Sequence, residues 1–139
     1  MKVCGIDLKG NDAVLVCLEG NIDDHHLIIE EVRKIKLGDA LDQKSVIEFS
    51  ENIKSFLEEN EFDAVGIKAR ATKGRFAGGS VSFKMEGIIQ TSSAAVEVIH
   101  AATIKAALKS LDTSAISSQI KAYQSDAYLA AAYLLKPKK

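Results

Sequence analysis

The densest chemistry in the sequence lies between residues 67 and 80, I-K-A-R-A-T-K-G-R-F-A-G-G-S. Arg70 and Arg75 can each clamp a phosphate with two parallel N–H donors, and Lys73 adds a point charge. Gly78 and Gly79 let the backbone approach a ligand closely, and Ser80 stands where a helix is predicted to open. A helix start presents free N–H groups and the positive end of the peptide dipoles, so anions collect there. The stretch reads as a site for nucleic acid, a nucleotide or another phosphate-bearing ligand. It is not a Walker A loop, which needs Gly-Lys-Ser/Thr at a fixed spacing, and it does not match the dinucleotide fingerprint. The alternative is a solvated loop in which Ser80 caps the helix.

Other reactive side chains are sparse. His25 and His26 are adjacent, so on a strand they face opposite ways and cannot serve one ion; they read as surface residues of a turn. His100 follows a predicted strand, at the end of the sheet where open α/β folds place their sites, and is a candidate general base. Cys4 and Cys17 lie in apolar stretches with no basic neighbour to lower a thiol pKa. Two cysteines make no disulfide framework, and these read as small buried residues in a reduced, cytoplasmic compartment. Tyr123, Tyr128 and Tyr133 recur every five residues, which is not one helix face, so they predict no stacking platform for bases.

The net charge of −1 hides a sorting of charge along the chain. Residues 1–63 hold 7 basic and 15 acidic side chains, residues 64–111 hold 7 and 2, and residues 112–139 hold 4 and 2. From 64 to 85 there are five cations and no acid. A local field of that kind attracts phosphate even on a nearly neutral protein. The length of 139 residues and an apolar fraction of 47% predict one soluble domain, 1–139, with a real core. No apolar run approaches the 18 or so residues a membrane helix needs, so no membrane partner is expected. The N-terminus meets Asp7 and Lys9 too early for a signal peptide.

The elements that must carry these residues follow from periodicity. Residues 2–8 and 12–19 read as strands joined by the turn signal Gly10-Asn11. The unbroken apolar run 13–18 predicts a central strand buried on both faces. Residues 26–37 read as a third strand whose charges suit a sheet edge. Val46, Ile47, Phe49, Ile53, Phe56 and Leu57 then recur at helical spacing over 43–60, with Asp42 as N-cap and Asn60 as stop. A strand over 62–67, a helix over 79–91 and a strand over 95–99 follow. Helices over 103–111, 113–121 and 125–135 close the chain, the last Ala-rich and ended by Pro137. Three antiparallel strands followed by strands joined through helices require a mixed sheet with helical cover.

This order resembles the ribonuclease H-like fold, and short motifs carry the resemblance further. The opening strand V-C-G-I-D-L is similar to that of RuvC-like Holliday-junction resolvases, which end it in a metal-binding Asp; Asp7 stands there. The stretch F-D-A-V-G-I-K (62–68) resembles their fourth strand, K-M-E-G-I-I-Q (84–90) the helix after it, and S-D-A-Y-L-A-A-A-Y-L (125–134) their last helix. The chain is also similar to a small uncharacterised bacterial family with the signature I-K-x-R-x-x-K-G-x-F-x-G-G. The resemblance implies a mixed five-stranded sheet flanked by helices. It also implies a catalytic and Mg- or Mn-binding role for Asp7 and Asp126.

The departures from the resolvase pattern are as informative. Cleavage by two metal ions needs several carboxylates around ions about 4 Å apart. Here the fourth-strand Glu is Lys68, and a second Asp in the last helix is missing near Leu129. Three readings stay open: a structural ion pair of Lys68 with Asp7 or Asp126, a metal site that recruits Glu86 or Asp12, and a phosphate site that binds without cutting. The expectation is a nucleic-acid or phosphate-ligand binder with an incomplete carboxylate site. The alternatives are a metal-dependent nuclease using Asp7 and Asp126, and a homodimeric interaction protein with no catalytic activity; the Ala-rich helix permits close packing inside the fold or across a dimer.

Overall fold

The computed structural model describes residues 1–70 and 79–137. The chain starts as a hairpin: β1 (Lys2–Lys9) and β2 (Asp12–Gly20) pair antiparallel from Lys2 opposite Glu19 to Lys9 opposite Asp12. Gly10 takes φ 56°, the left-handed conformation that a two-residue hairpin turn demands. Ala13 to Leu18 are all buried, as expected for a strand covered on both faces.

The expected third strand is broken in two. β3 (His25–Ile28) pairs with the second half of β2, and β4 (Lys34–Lys36) pairs with the first half. Between them Ile29 sits at φ 53° and its carbonyl accepts from the Val32 N–H at 3.2 Å, so the chain turns where a continuous strand was predicted. A β-branched residue in that region is an outlier that pattern reading cannot anticipate.

The helix α1 (Gln43–Glu59) opens on Asp42, whose carboxylate accepts from the Ser45 N–H at 3.3 Å and hydroxyl at 3.1 Å. It closes on Asn60, whose amide donates to the Phe56 carbonyl at 2.8 Å. Then come β5 (Ala64–Lys68), α2 (Ser80–Gln90), β6 (Val96–Ile99), α3 (Ala101–Ala107), the short α4 (Ser114–Ser117), a 3₁₀ turn (Ala122–Gln124) and α5 (Ser125–Leu135). Of the predicted helices 103–111 and 113–121, the first starts two residues early and the second shrinks to one turn.

The sheet order is β3-β2-β1-β5-β6, with β4 beside β3 on the same edge of β2. It is therefore five strands wide, with β1, β5 and β6 parallel. One face packs Ile6, Leu15 and Ile67 against Phe49, Ile53 and Leu57 of α1 and Met85 and Ile89 of α2. Cys4 and Cys17 lie opposite each other in this core as free thiols, and burial raises the Cys4 pKa well above its ordinary value, so it is no nucleophile. The other face packs Val3, Val14 and Val16 against α3, α4 and α5. Every alanine of α5 is fully buried there, which places the Ala-rich surface inside the fold rather than at a dimer contact.

Candidate functional site

Side chains alternate along a strand, which fixes which face each residue of β1 and β5 serves. Gly5 faces α5: a Cβ there would collide with the Ala127 carbonyl and with Ala131. Asp7, two residues on, points to the same side. β1 and β5 run in parallel register, Gly5 beside Gly66 and Ile6 beside Ile67. Gly66 also faces α5, with the Leu134 side chain 3.1 Å from where its Cβ would be. Lys68 thus stands next to Asp7 at the carboxyl end of the sheet, beneath the first turn of α5. Asp126 lies in that turn.

The close approach has an immediate result: Lys68 Nζ stands 2.9 Å from Asp126 Oδ2. Of the two partners open to Lys68, the hydrogen-bonded ion pair forms with Asp126. Asp7 is fully buried, and neither carboxylate oxygen has a hydrogen-bond partner among the described residues. Lys9 Nζ lies 3.5 Å from Asp7 Oδ2, close enough for attraction between charges but too far for a good hydrogen bond. Burial raises the Asp7 pKa, and the Asp126 carboxylate pushes it the same way. Lys68, Lys9 and Arg70 oppose both.

Two contacts that sequence reading missed hold this end of α5 in place. Gln124, buried just before the helix, donates its amide to the Leu15 carbonyl at 3.0 Å and accepts from the Lys121 N–H at 2.9 Å. Lys9 reaches past Asp7 to donate to the Tyr123 carbonyl at 3.2 Å. Gln124 looks like an ordinary polar residue before a helix, and nothing in its neighbours signals that it turns inward. Beyond the ion pair, Lys68 and Asp126 form part of the wall of a cavity of about 320 Å³, completed by Ala101, Ile104, Lys105 and Leu129.

The resolvase pattern implies divalent metal ions, and the residues here test whether such ions fit. The orphaned oxygens of Asp7 suit a cation. The rest of the donor set does not: an ammonium stands where the pattern has a carboxylate, and it holds the second carboxylate itself. No group of three or more His, Cys, Asp and Glu side chains among the described residues could hold an ion. Glu86 is half-buried on α2, which packs on the opposite face of the sheet from α5. Asp12 opens β2 opposite Lys9. Neither completes a set around Asp7. The described residues do not fit a two-metal centre.

Of the residues expected to bind phosphate, Arg70, Gly79 and Ser80 are among the described residues. Lys73, Arg75 and Gly78 lie outside the described residues. Arg70 follows β5, half-buried, with its Nε lacking a hydrogen-bond partner among the described residues. Gly79 is the N-cap of α2, and Ser80 is the first helical residue, so Ser80 does not take the cap position that the solvated-loop alternative gave it. His100 is exposed at the cap position of α3 and makes no capping bond with its side chain. His26 is an exposed edge residue 3.9 Å from Glu19, whereas His25 is drawn into a contact with the Tyr128 hydroxyl.

The sequence matches, over residues 1–134, the model of a family described as protein of unknown function (DUF3010). The chain belongs to the DUF3010 family. No curated protein matches it. Among solved structures, Thermus thermophilus RuvC is similar to this DUF3010 chain with a TM-score of 0.72 and 14% identity, over 96% of this chain and 92% of its own. A structure of T. thermophilus RuvC in complex with Holliday junction substrate gives 0.69 and 14%, over 96% and 91%. The yeast mitochondrial Holliday junction resolvase Ydc2 gives 0.59 and 11%, over 96% and 77%. This DUF3010 chain therefore has the RuvC-type, ribonuclease H-like fold that its order of elements implied. No helix among the described residues is long and apolar enough to cross a membrane.

Proposed function

We propose that this chain binds nucleic acid through its phosphates at the carboxyl end of the sheet and does not cleave it. The observation that carries the reading is the Lys68–Asp126 ion pair at 2.9 Å. It puts a fixed positive charge beside Asp7, where hydrolysis by metal ions would need a further carboxylate. A phosphodiester needs cations, and Lys68, Lys9 and Arg70 supply them around one buried acid. Lys73 and Arg75, with the acid-free run 64–85, extend that charge in sequence. The likeness to a resolvase solved with Holliday junction substrate supports a nucleic-acid partner.

Fluorescence anisotropy on labelled single-stranded, duplex and four-way-junction oligonucleotides, with Mn²⁺ and at two salt concentrations, tests the proposal. The expected trace rises, weakens with salt as counterion release demands, and then holds steady. A rise followed by decay means cleavage, with Asp7 and Asp126 as its first suspects, and overturns the non-cleaving reading. A flat trace on every substrate overturns binding itself and leaves the interaction-protein alternative.

A further inference from the structure

The end of the sheet away from Asp7 carries a second concavity that the proposed function does not use. Its position follows from the strands: His25 opens β3 opposite Gly20, and Gly20 N–H donates to the Met1 carbonyl at the amino end of β1. A cavity of about 570 Å³ opens there between the 22–25 turn, the segment after α3 and the outer side of α5. That is within the usual range of small-molecule pockets, roughly 300–1,000 Å³.

The polar groups have a fixed sense. His25 Nδ1 lies 3.0 Å from the Asn21 carbonyl, which can only accept, so Nδ1 carries the proton. In that tautomer Nε2 is the acceptor, and it receives the Tyr128 hydroxyl at 2.8 Å. With its proton committed to His25, Tyr128 presents lone pairs alone to a further partner. Tyr128, 2% exposed, is among the residues that line the cavity. Asp23, Asp24 and Asp112 add carboxylates on the walls. Asp112 is held ionised, because the Ser114 N–H donates to it at 3.0 Å and keeps its pKa low. The one lysine on the wall, Lys136, donates to the Ala107 carbonyl at 2.7 Å. Between these groups the surface is Leu108, Leu111 and Ile116.

We infer that this cavity is a binding site for a small amphipathic amine, whose ammonium is received by Asp24, Asp112 and the Tyr128 oxygen and whose apolar body lies on Leu108, Leu111 and Ile116. Three carboxylates against one ammonium, itself turned to the Ala107 carbonyl, leave the walls net acidic and select a cationic ligand. The apolar wall excludes a fully hydrated metal ion as the natural occupant and favours a carbon skeleton. The site is independent of nucleic-acid binding, since it sits at the opposite end of the sheet.

The test is isothermal titration of the full chain with 2-phenylethylamine, 3-phenylpropionate and 2-phenylethanol, together with NMR shift mapping of the amine complex. The amine is expected to bind saturably at one site, with shifts centred on His25, Leu111, Asp112 and Tyr128, and the acid and alcohol to bind far more weakly. The Asp24→Asn/Asp112→Asn double variant keeps the acceptor for Ser114 and is expected to weaken the amine by about tenfold or more. Ala115→Phe, which fills the cavity from an exposed position, is expected to abolish binding. Absence of saturable amine binding to the unmodified chain overturns the inference. So does equal binding of the acid or alcohol, a shift map centred elsewhere, or unchanged affinity in the folded variants.

Discussion

Lys68 Nζ is 2.9 Å from Asp126 Oδ2, while the neighbouring Asp7, fully buried, keeps both carboxylate oxygens without a hydrogen bond among the described residues. One acid is hydrogen-bonded to an ammonium, and the other has the Lys9 ammonium only at 3.5 Å. Lys68 thus decides between two chemistries on one scaffold, and exchanging its charge is the most direct experiment on the site.

Lys68→Glu would put three carboxylates together with no cation bonded to Asp126. Without metal the variant should be less stable than the parent by about 1–3 kcal/mol, the scale of an uncompensated charge in a partly buried site. Mn²⁺ should restore its Tm and bind in a calorimetric titration, and should leave the parent Tm unchanged. A variant whose Tm ignores Mn²⁺ would mean that these three positions do not converge on an ion.

Arg70→Ala combined with Lys73→Ala should weaken oligonucleotide binding and flatten its dependence on salt. Each lost phosphate contact lowers the slope of log affinity against log salt by about 0.9 on duplex DNA. Anisotropy across a salt series reads both quantities. Unchanged binding and slope would remove the 67–80 stretch from the interface.

Asp7 gives the protein a pH signature of a particular sign. Its folded pKa is raised from 3.8, by burial first and by Asp126 second. The folded state therefore keeps a proton that the unfolded chain has lost as pH climbs from 3.8 towards the raised value. Stability falls across that window and stays lowered above it. Asp7→Asn should lack this slope and be at least as stable as the parent at pH 7, by about 1 kcal/mol, the order of an unmade buried hydrogen bond. Urea denaturation at a series of pH values checks it; a variant clearly less stable at neutral pH would show that Asp7 is already satisfied.

Gly5→Ala is the smallest change that should move the site. Its Cβ would meet backbone of α5 at Ala127 and Ala131, which cannot turn aside as a side chain can. Overpacking of this kind costs about 1–3 kcal/mol, and backbone contact puts it at the upper end. Displacing α5 should also lengthen the Lys68–Asp126 contact. Denaturant midpoints give the first quantity, and a crystal structure of the variant gives the second. A midpoint within error of the parent would contradict the close approach.

Much of the frame is legible in the residues because it follows local rules. Gly10-Asn11 marks the hairpin, the run 13–18 marks the central strand, and Asp42 marks the start of α1. What was not legible depends on residues far apart in the chain. Lys68 had two possible acids within reach, and the choice of Asp126 rests on how closely α5 settles on Gly5. His25 has the look of a turn residue until Tyr128, 103 positions later, receives it. The break at Ile29 is a third kind of failure: a residue type that favours strands sits in a conformation it rarely adopts. The strands on either side of that turn pair with the two ends of β2.

The anchoring of α5 by Gln124 to the Leu15 carbonyl joins positions 109 residues apart, across almost the whole chain. Such a contact closes a long loop, and its entropic cost comes before any gain. Substitutions at Gln124 should therefore report on when the molecule completes itself, showing whether the docking of α5 lies before or after the rate-limiting barrier of folding. Asp7 would meet water on every molecule that has formed its hairpin and not yet closed that distance. The buried acid is in this sense a clock mark, dry only once the two ends of the chain have met.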